Sequence, residues 1–316
     1  MAQPTNSFSS YDAKGNREDL IDQIYMVEQT RTPFSSRIAK VTATATNHEW
    51  QTDDLAAASS TNAVIEGDDA STDATVATTR LGNYTQISDK VARVTGTQQS
   101  VDHAGRSDEM AYQVAKRMTE LKRDIESSML ANNAKVAGND TTAREAAGVE
   151  SWIATNTSAG VGGSDPTGDG TNARTDGTQR AFVEDDLKSV LAACADQGGD
   201  PNLVLVGSFN KQAMSAFSGN GTKTFEANSQ TLNTAIDIYI SDFGTLEVVY
   251  SPFSRDRSAL VLDTSLWAMA TLPGRAFMQT ELAKTGDTER KQILTEWTLE
   301  SRNESGNGII ADLTTS

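Results

Sequence analysis

The stretch from Ser107 to Asn133 reads SDEMAYQVAKRMTELKRDIESSMLANN. Ser107 suits an N-cap, and Asp108 and Glu109 put negative charge where the first-turn N–H groups point. Met110, Val114, Met118 (or Leu121), Ile125 and Met129 follow on one stripe at helical spacing. Gly138 lies just past the end. The pattern predicts a helix over 107–133, about 40 Å long at 1.5 Å per residue. That is long for a globular domain. Its outer face mixes signs: Lys116, Arg117, Glu120, Lys122, Arg123, Asp124 and Glu126. The spacings Lys122–Glu126 and Glu120–Arg123 allow local pairing, worth a few tenths of a kcal/mol each.

Upstream of this helix the chain changes character. Residues 1–16 are polar and read as a mobile arm without an apolar leader-like run. A short helix is expected from Arg17 to about Gln29, because Leu20, Ile24 and Val27 form one stripe. Thr32-Pro33 ends it. Residues 46–95 hold few large apolar side chains. Trp50 precedes Gln51-Thr52-Asp53-Asp54-Leu55 and an Ala/Ser/Thr-rich stretch, and Gly67 to Ser71 reads as a turn. Val76–Arg80 and Asn83–Val94 read as extended chain with alternating character. Such a segment cannot build its own core. It is either disordered or a long two-stranded arm ordered by neighbours.

Downstream, residues 138–180 are loop-like, anchored by Trp152-Ile153, with a flexible glycine-rich excursion over 160–177. Residues 180–272 read as an α/β unit. A helix over 183–197 precedes the buried strand Leu203–Val206, and Ser208 caps a helix to about Phe217. Further strands are expected at 236–240, 246–250 and 259–262. Ala276–Ala283 and Arg290–Ser301 then form a hairpin about Gly286-Asp287.

Composition narrows the function. Lys plus Arg number 27 against 43 Asp plus Glu in 316 residues, a net charge of −16. That argues against a nucleic-acid binder, whose affinity rests on neutralising phosphates. The hydrophobic fraction is 37%, a thin core for about two domains. No apolar run approaches the ~18 residues of a membrane span. The single Cys194 cannot form an internal disulfide. It sits in the apolar register of its helix and reads as a small buried hydrophobe. His48 and His103 share no metal-ligand spacing. Gly163–Gly170 lacks the Lys-Ser/Thr of a phosphate loop, Asp165 and Asp169 lack the ligand order of a calcium loop, and no Gly-x-Ser-x-Gly occurs. Catalysis therefore finds no support. The order of elements, an arm, a thinly apolar extended segment, a long helix, an α/β unit and a returning hairpin, suggests packing supplied by neighbouring copies.

That order resembles the HK97-like major capsid proteins of tailed bacteriophages, and within them the SU10-type proteins. The resemblance covers essentially the whole chain. It is carried by Arg31-Thr32-Pro33-Phe34, by His48-Glu49-Trp50-Gln51-Thr52-Asp53 with Leu55, by Arg80 through Ile87, and by Val94-Thr95-Gly96-Thr97. Asp108 through Gln113, Lys116, Glu120, Leu121, Arg123-Asp124-Ile125-Glu126, and Gly148 with Trp152-Ile153 complete it.

The resemblance implies an α+β fold of the HK97 type. Its parts would be an N-terminal arm (1–33), a peripheral-domain start (34–45) and an extended loop (46–95). A peripheral domain with the spine helix (96–179), an axial domain (180–272) and peripheral return strands (273–316) would follow. It implies self-assembly into pentamers and hexamers of an icosahedral shell enclosing double-stranded DNA, without enzyme activity, cofactor, metal or membrane contact. A separate scaffolding protein, a portal and a decoration protein are the implied partners. The implied location is the virion, after assembly in the host bacterial cytoplasm. Trp50, Asp53, Asp54, Arg80, Asn83, Tyr84, Lys90, Arg93, Lys116, Arg123 and Glu126 are the expected assembly residues. Some relatives crosslink through a lysine of the extended loop; here none lies between Lys40 and Lys90, so no such crosslink is expected. An encapsulin-like nanocompartment shell shares the fold and is the main alternative. A β-rich surface adhesin and an α/β hydrolase fit less well.

Overall fold

The computed structural model describes residues 26–69, 75–102, 105–217 and 237–315. The expected arm over 1–16, most of the expected helix over 17–29, and His103 lie outside them. Met26–Gln29, the last residues of that expected helix, are not helical.

Strand β1 (Ala39–Thr42) is followed by β2 (Asn47–Thr52), which pairs antiparallel with β3 (Thr79–Tyr84). After Thr85 comes β4 (Gln86–Thr95), then the short α1 (Gly96–Ser100) and the long α2 (Glu109–Met129). β5 (Asn156–Ser158), α3 (Glu184–Asp196), β6 (Leu203–Val206) and α4 (Ser208–Ser215) follow. Then come β7 (Ile238–Ser241), β8 (Gly244–Tyr250), β9 (Ala259–Leu262), a 3-10 turn at Thr264–Leu266, β10 (Trp267–Thr271), β11 (Met278–Glu281), β12 (Thr288–Ser301) and β13 (Gly308–Ile310).

Two sheets organise these elements. In the first, β12 is the axis. It pairs with β4 along one edge and with β10 and β11 along the other, while β1 lies parallel to β10. The second runs β5-β13-β9-β6-β8-β7. The hairpin predicted about Gly286 is present, and Gly286 takes a left-handed φ of 77° that suits glycine.

Several expected boundaries move. α2 spans 21 residues, about 32 Å instead of 40. Its N-cap is Asp108, whose carboxylate accepts from the Ala111 N–H at 3.0 Å, and not Ser107. It stops early because Asn132 and Asn133 turn their amides to loop backbone: Asn132 exchanges two bonds with Arg174, and Asn133 donates to the Ala146 carbonyl. The expected Lys122–Glu126 and Glu120–Arg123 pairs are replaced. Arg117 pairs with Glu120, Arg123 with Glu28, and Glu126 is fully buried. The helix expected to be capped by Ser208 has Gly207 at its N-cap.

Strand β10, inside the expected 180–272 unit, belongs to the β12 sheet, and β13, among the expected return strands, belongs to the other. Apolar alternation cannot assign a strand to one of two sheets when both bury it. The extended segment also ends sooner than 95, because β4 is locked to ten residues of β12.

Residues 160–177 are not a free excursion. Arg255 donates to Glu150 at 2.6 Å and holds both oxygens of Asp176, while Arg257 bonds the Gly177 carbonyl and Asp312. Asp312 accepts from the Gly160 and Gly177 N–H groups. Gly170, with φ 74°, passes so close that a Cβ there would lie 2.8 Å from the Trp152 ring. Charged staples order a segment whose composition reads as flexible.

The main core joins Trp152, Trp267, Trp297 and Phe34 to Leu121, Ile125 and Met129 of α2. A second core lies between α3 and β6, β8 and β9, and includes Cys194. Burial pushes the Cys194 thiol up to about 12, so it is a neutral packing group, as its register implies.

Candidate assembly surface

The β2–β3 hairpin carries at its tip a segment whose described residues are 53–69 and 75–78. Within the body, the hairpin is held by side chains that the sequence points to for a different reason. Asn83 is fully buried, accepts from the Ala147 N–H at 2.9 Å and donates to the Leu299 carbonyl at 2.8 Å. Trp50 packs on Trp152 with ring centroids 5.3 Å apart. Lys135 donates to the Gly82 and Asp169 carbonyls beneath the same hairpin. His48 meets Glu300 at 3.0 Å, and this contact, with Arg302 behind it, holds the Glu300 carboxyl below its usual range.

Glu126 is also internal. Its two oxygens accept from the Phe34 and Ser35 N–H groups at 2.7 and 2.8 Å. Those bonds anchor the chain entering β1 on α2. Burial outweighs them and pushes the carboxyl up. Of the other expected residues, Lys90 pairs with Asp124 at 2.7 Å across β4 and α2. Arg123 pairs with Glu28 and lies over the Phe253 ring. Tyr84 is half-buried. Arg80 reaches Glu49 at 3.7 Å and is otherwise open to water. Asp53, Asp54, Arg93 and Lys116 are exposed. The eleven residues thus do not form one surface. Trp50, Asn83 and Glu126 hold the fold, and the exposed ones are spread over the loop, β4 and α2.

The surface that is exposed and apolar is elsewhere. Leu55 is 99% exposed, and Val64, Ile65 and Val76 are at least 75% exposed, all on the 53–78 segment. Ile238, Ile240 and Phe243 stand out on the β7–β8 hairpin at the edge of the second sheet. Ile87 and Val91 on β4 and Met278 on β11 face water as well. Sequence reading misses the last three. Alternation over 84–91 is visible, but it cannot tell which face is buried. Here the polar set points inward: Gln86 accepts from the Ala146 N–H, Ser88 from the Trp297 indole, and Lys90 pairs with α2. The aliphatic pair Ile87 and Val91 is left outside.

Among the described residues no His/Cys/Asp/Glu group is placed to hold a metal ion, and no helix is long and apolar enough to cross a membrane. What the geometry offers is exposed apolar surface.

Comparison with known proteins agrees. The model of the SU10 major capsid protein family matches residues 3–314. The major capsid protein of Escherichia phage Phieco32 is 28% identical over 356 residues, covering 98% of this chain and 97% of that protein. The capsid asymmetric unit of cyanophage A-1(L) superposes with a TM-score of 0.67 at 12% identity, covering 98% of this chain and 99% of that one. The capsid of a native GTA particle gives 0.64 at 11%, covering 96% and 98%. At such identities the solved structures show a shared HK97-like fold. The family match, spanning nearly every residue, shows that the chain belongs to the SU10 major capsid protein family and is the subunit of a tailed-phage capsid shell.

Proposed function

We propose that the chain closes an icosahedral shell of pentamers and hexamers by laying its 53–78 segment over a neighbouring copy. The observation that carries this reading is the set of aliphatic side chains on that segment, Leu55, Val64, Ile65 and Val76, standing in water on a projection with no core of its own. Burying each is worth about 1.5–3 kcal/mol. Repetition by symmetry turns such modest contacts into a cooperative shell. Deleting residues 56–76 tests it: soluble subunits or open fragments are expected under electron microscopy, and closed shells of normal size would refute it.

The shell encloses double-stranded DNA without gripping it, and the net charge of −16 supports this. The purified subunit is expected to leave duplex DNA unshifted on a gel at physiological salt. The role is structural and not enzymatic. Scaffold, portal and decoration proteins are separate partners; the phage G structure that shares this fold holds decoration proteins. Assembly takes place in the host cytoplasm.

A further inference from the structure

Asn83, Trp50, Lys135 and His48 seat the β2–β3 hairpin on the body of the subunit. Asn83 does so through amide hydrogen bonds to Ala147 and Leu299, and Trp50 by packing on Trp152. Neither contact contains a titratable group. His48, on β2, meets Glu300 of β12, 252 positions away in the chain. Histidine is the side chain whose charge ordinarily changes between about pH 5 and pH 8.

Glu300 divides its oxygens between two partners. Its Oε1 accepts from Arg302 Nε at 2.9 Å, and its Oε2 meets His48 Nε2 at 3.0 Å. The His48 and Glu300 side chains are only 16% and 11% exposed, so salt screens their interaction little. The His48 ring centroid lies 5.9 Å from that of Trp50, the ring that docks on Trp152. A proton on the imidazole makes the bond to Glu300 charge-assisted, roughly twice as strong as a neutral one.

The other charged groups around the hairpin base have their own partners. Glu49, next to His48, accepts from Asn47 and stands 3.7 Å from Arg80. Glu296 accepts from the Thr85 hydroxyl and is held by Arg144 and Arg275. Glu304 accepts from the Ala154 and Thr155 N–H groups, and Glu150, two residues before Trp152, pairs with Arg255. Lys135 donates to the Gly82 and Asp169 carbonyls, and burial lowers it against the pull of Asp169 and Glu49. Loss of its proton would loosen the seat in the same sense as loss of the His48 proton, so substitution at His48 is what separates the two.

We propose that His48 and Glu300 form a pH-dependent latch that closes the β2–β3 hairpin onto β12 in mildly acidic solution and loosens it above neutral pH. Its contribution is full where the imidazole carries its proton and Glu300 has lost its own, and it fades as rising pH removes the imidazole proton. It is lost again in strong acid, when Glu300, held below its usual range by His48 and Arg302, takes up a proton. The latch acts within one subunit, whatever the 53–78 segment touches, and sets how firmly the base of that segment is held.

The test is amide hydrogen exchange of the full-length, unassembled subunit, followed by mass spectrometry and corrected for the intrinsic pH dependence of exchange. Amides of 47–52 and 79–84 are expected to exchange at least about threefold more slowly near pH 5.5 than near pH 8, the effect of a partly enclosed ion pair on local opening. The Leu203–Val206 strand, in the other sheet, is the internal reference and should change little. His48→Gln and Glu300→Gln should each remove the difference and leave the hairpin at its looser level at both pH values. A hairpin that exchanges equally at the two pH values overturns the latch. So does a His48→Gln chain that keeps the native pH dependence, or an equal change at Leu203–Val206. Should His48→Gln fail to fold, His103→Gln leaves His48 as the sole histidine. Its imidazole NMR signal is then followed against pH. Hairpin exchange is expected to change over the same interval as that signal, and a mismatch overturns the proposal.

Discussion

The body of the subunit and the segment at the tip of its β2–β3 hairpin use aliphatic residues in opposite ways. In the body, Trp152, Trp267 and Trp297 are fully enclosed, and Leu121, Ile125 and Met129 of α2 are buried in the same core with Phe34. In the 53–78 segment, Leu55, Val64 and Ile65 touch almost nothing of their own chain. The first set stabilises one subunit. The second adds little to the subunit and, in the reading proposed above, stabilises a contact between subunits. If that reading holds, folding and assembly rest on separable residues, and substitutions tell them apart.

The largest expected effect on subunit stability is at the β12 axis. Trp297→Ala removes a buried ring whose indole N–H donates to Ser88, and should cost about 3–5 kcal/mol. Denaturant unfolding of the unassembled subunit measures it. A loss under about 1 kcal/mol, the ordinary cost of a single substitution, would break the claim that this core carries the body.

Glu126→Ala comes next. It leaves the buried Phe34 N–H and the half-buried Ser35 N–H without their acceptor and should cost about 2–4 kcal/mol. The pH dependence sharpens this. Burial raises the Glu126 carboxyl in the folded state, so its favourable contribution is full below the ordinary glutamate value. That contribution fades as pH rises through the raised folded value. Glu300 runs the other way. His48 and Arg302 lower it, so its contribution is present above the ordinary value and is lost as pH falls through the lowered one. Glu126→Gln should flatten the stability profile on its less acidic side, and Glu300→Gln on its acidic side. Melting curves spanning the ordinary carboxylate range, from about pH 3 to about pH 7, would show whether the two differ in this sense.

Smaller still is Cys194→Ser, which should cost about 1 kcal/mol and leave shells intact. The native thiol, pushed up to about 12 by burial, should resist alkylation until the chain unfolds. Least of all for the subunit, the combined change of Leu55, Val64 and Ile65 to Ser should shift unfolding by no more than about 0.5 kcal/mol, yet prevent closed shells. A subunit melting change comparable to that of Trp297→Ala would erase the contrast between body and segment.

Much of this organisation is legible in the amino-acid order. The α2 stripe, the Leu203–Val206 strand, the Gly286 hairpin and the thinly apolar stretch after Trp50 follow from periodicity and turn chemistry. Less legible is the use of individual polar residues. Asn83 and Glu126 lie in segments that resemble capsid relatives, which suggests surfaces, yet each is a buried hydrogen-bonding anchor. Residues 160–177 read as flexible because glycine-rich composition says nothing of Arg255, Arg257 and Asp312, which arrive from far along the chain. Strand β4 carries its alternation openly but not its orientation, since either face of an alternating strand can be buried.

By itself the sequence determined the local elements, the low apolar content, the acidic charge and a family pattern running from end to end. These depend on neighbours a few residues apart, or on composition. Tertiary structure alone decided which sheet each strand joined, which carboxylates were buried, and that His48 stands against Glu300. The two are 252 positions apart in the chain. Only the packing of the β2–β3 hairpin on β12 brings them together, because such a contact is set by how whole elements dock and not by neighbours along the chain.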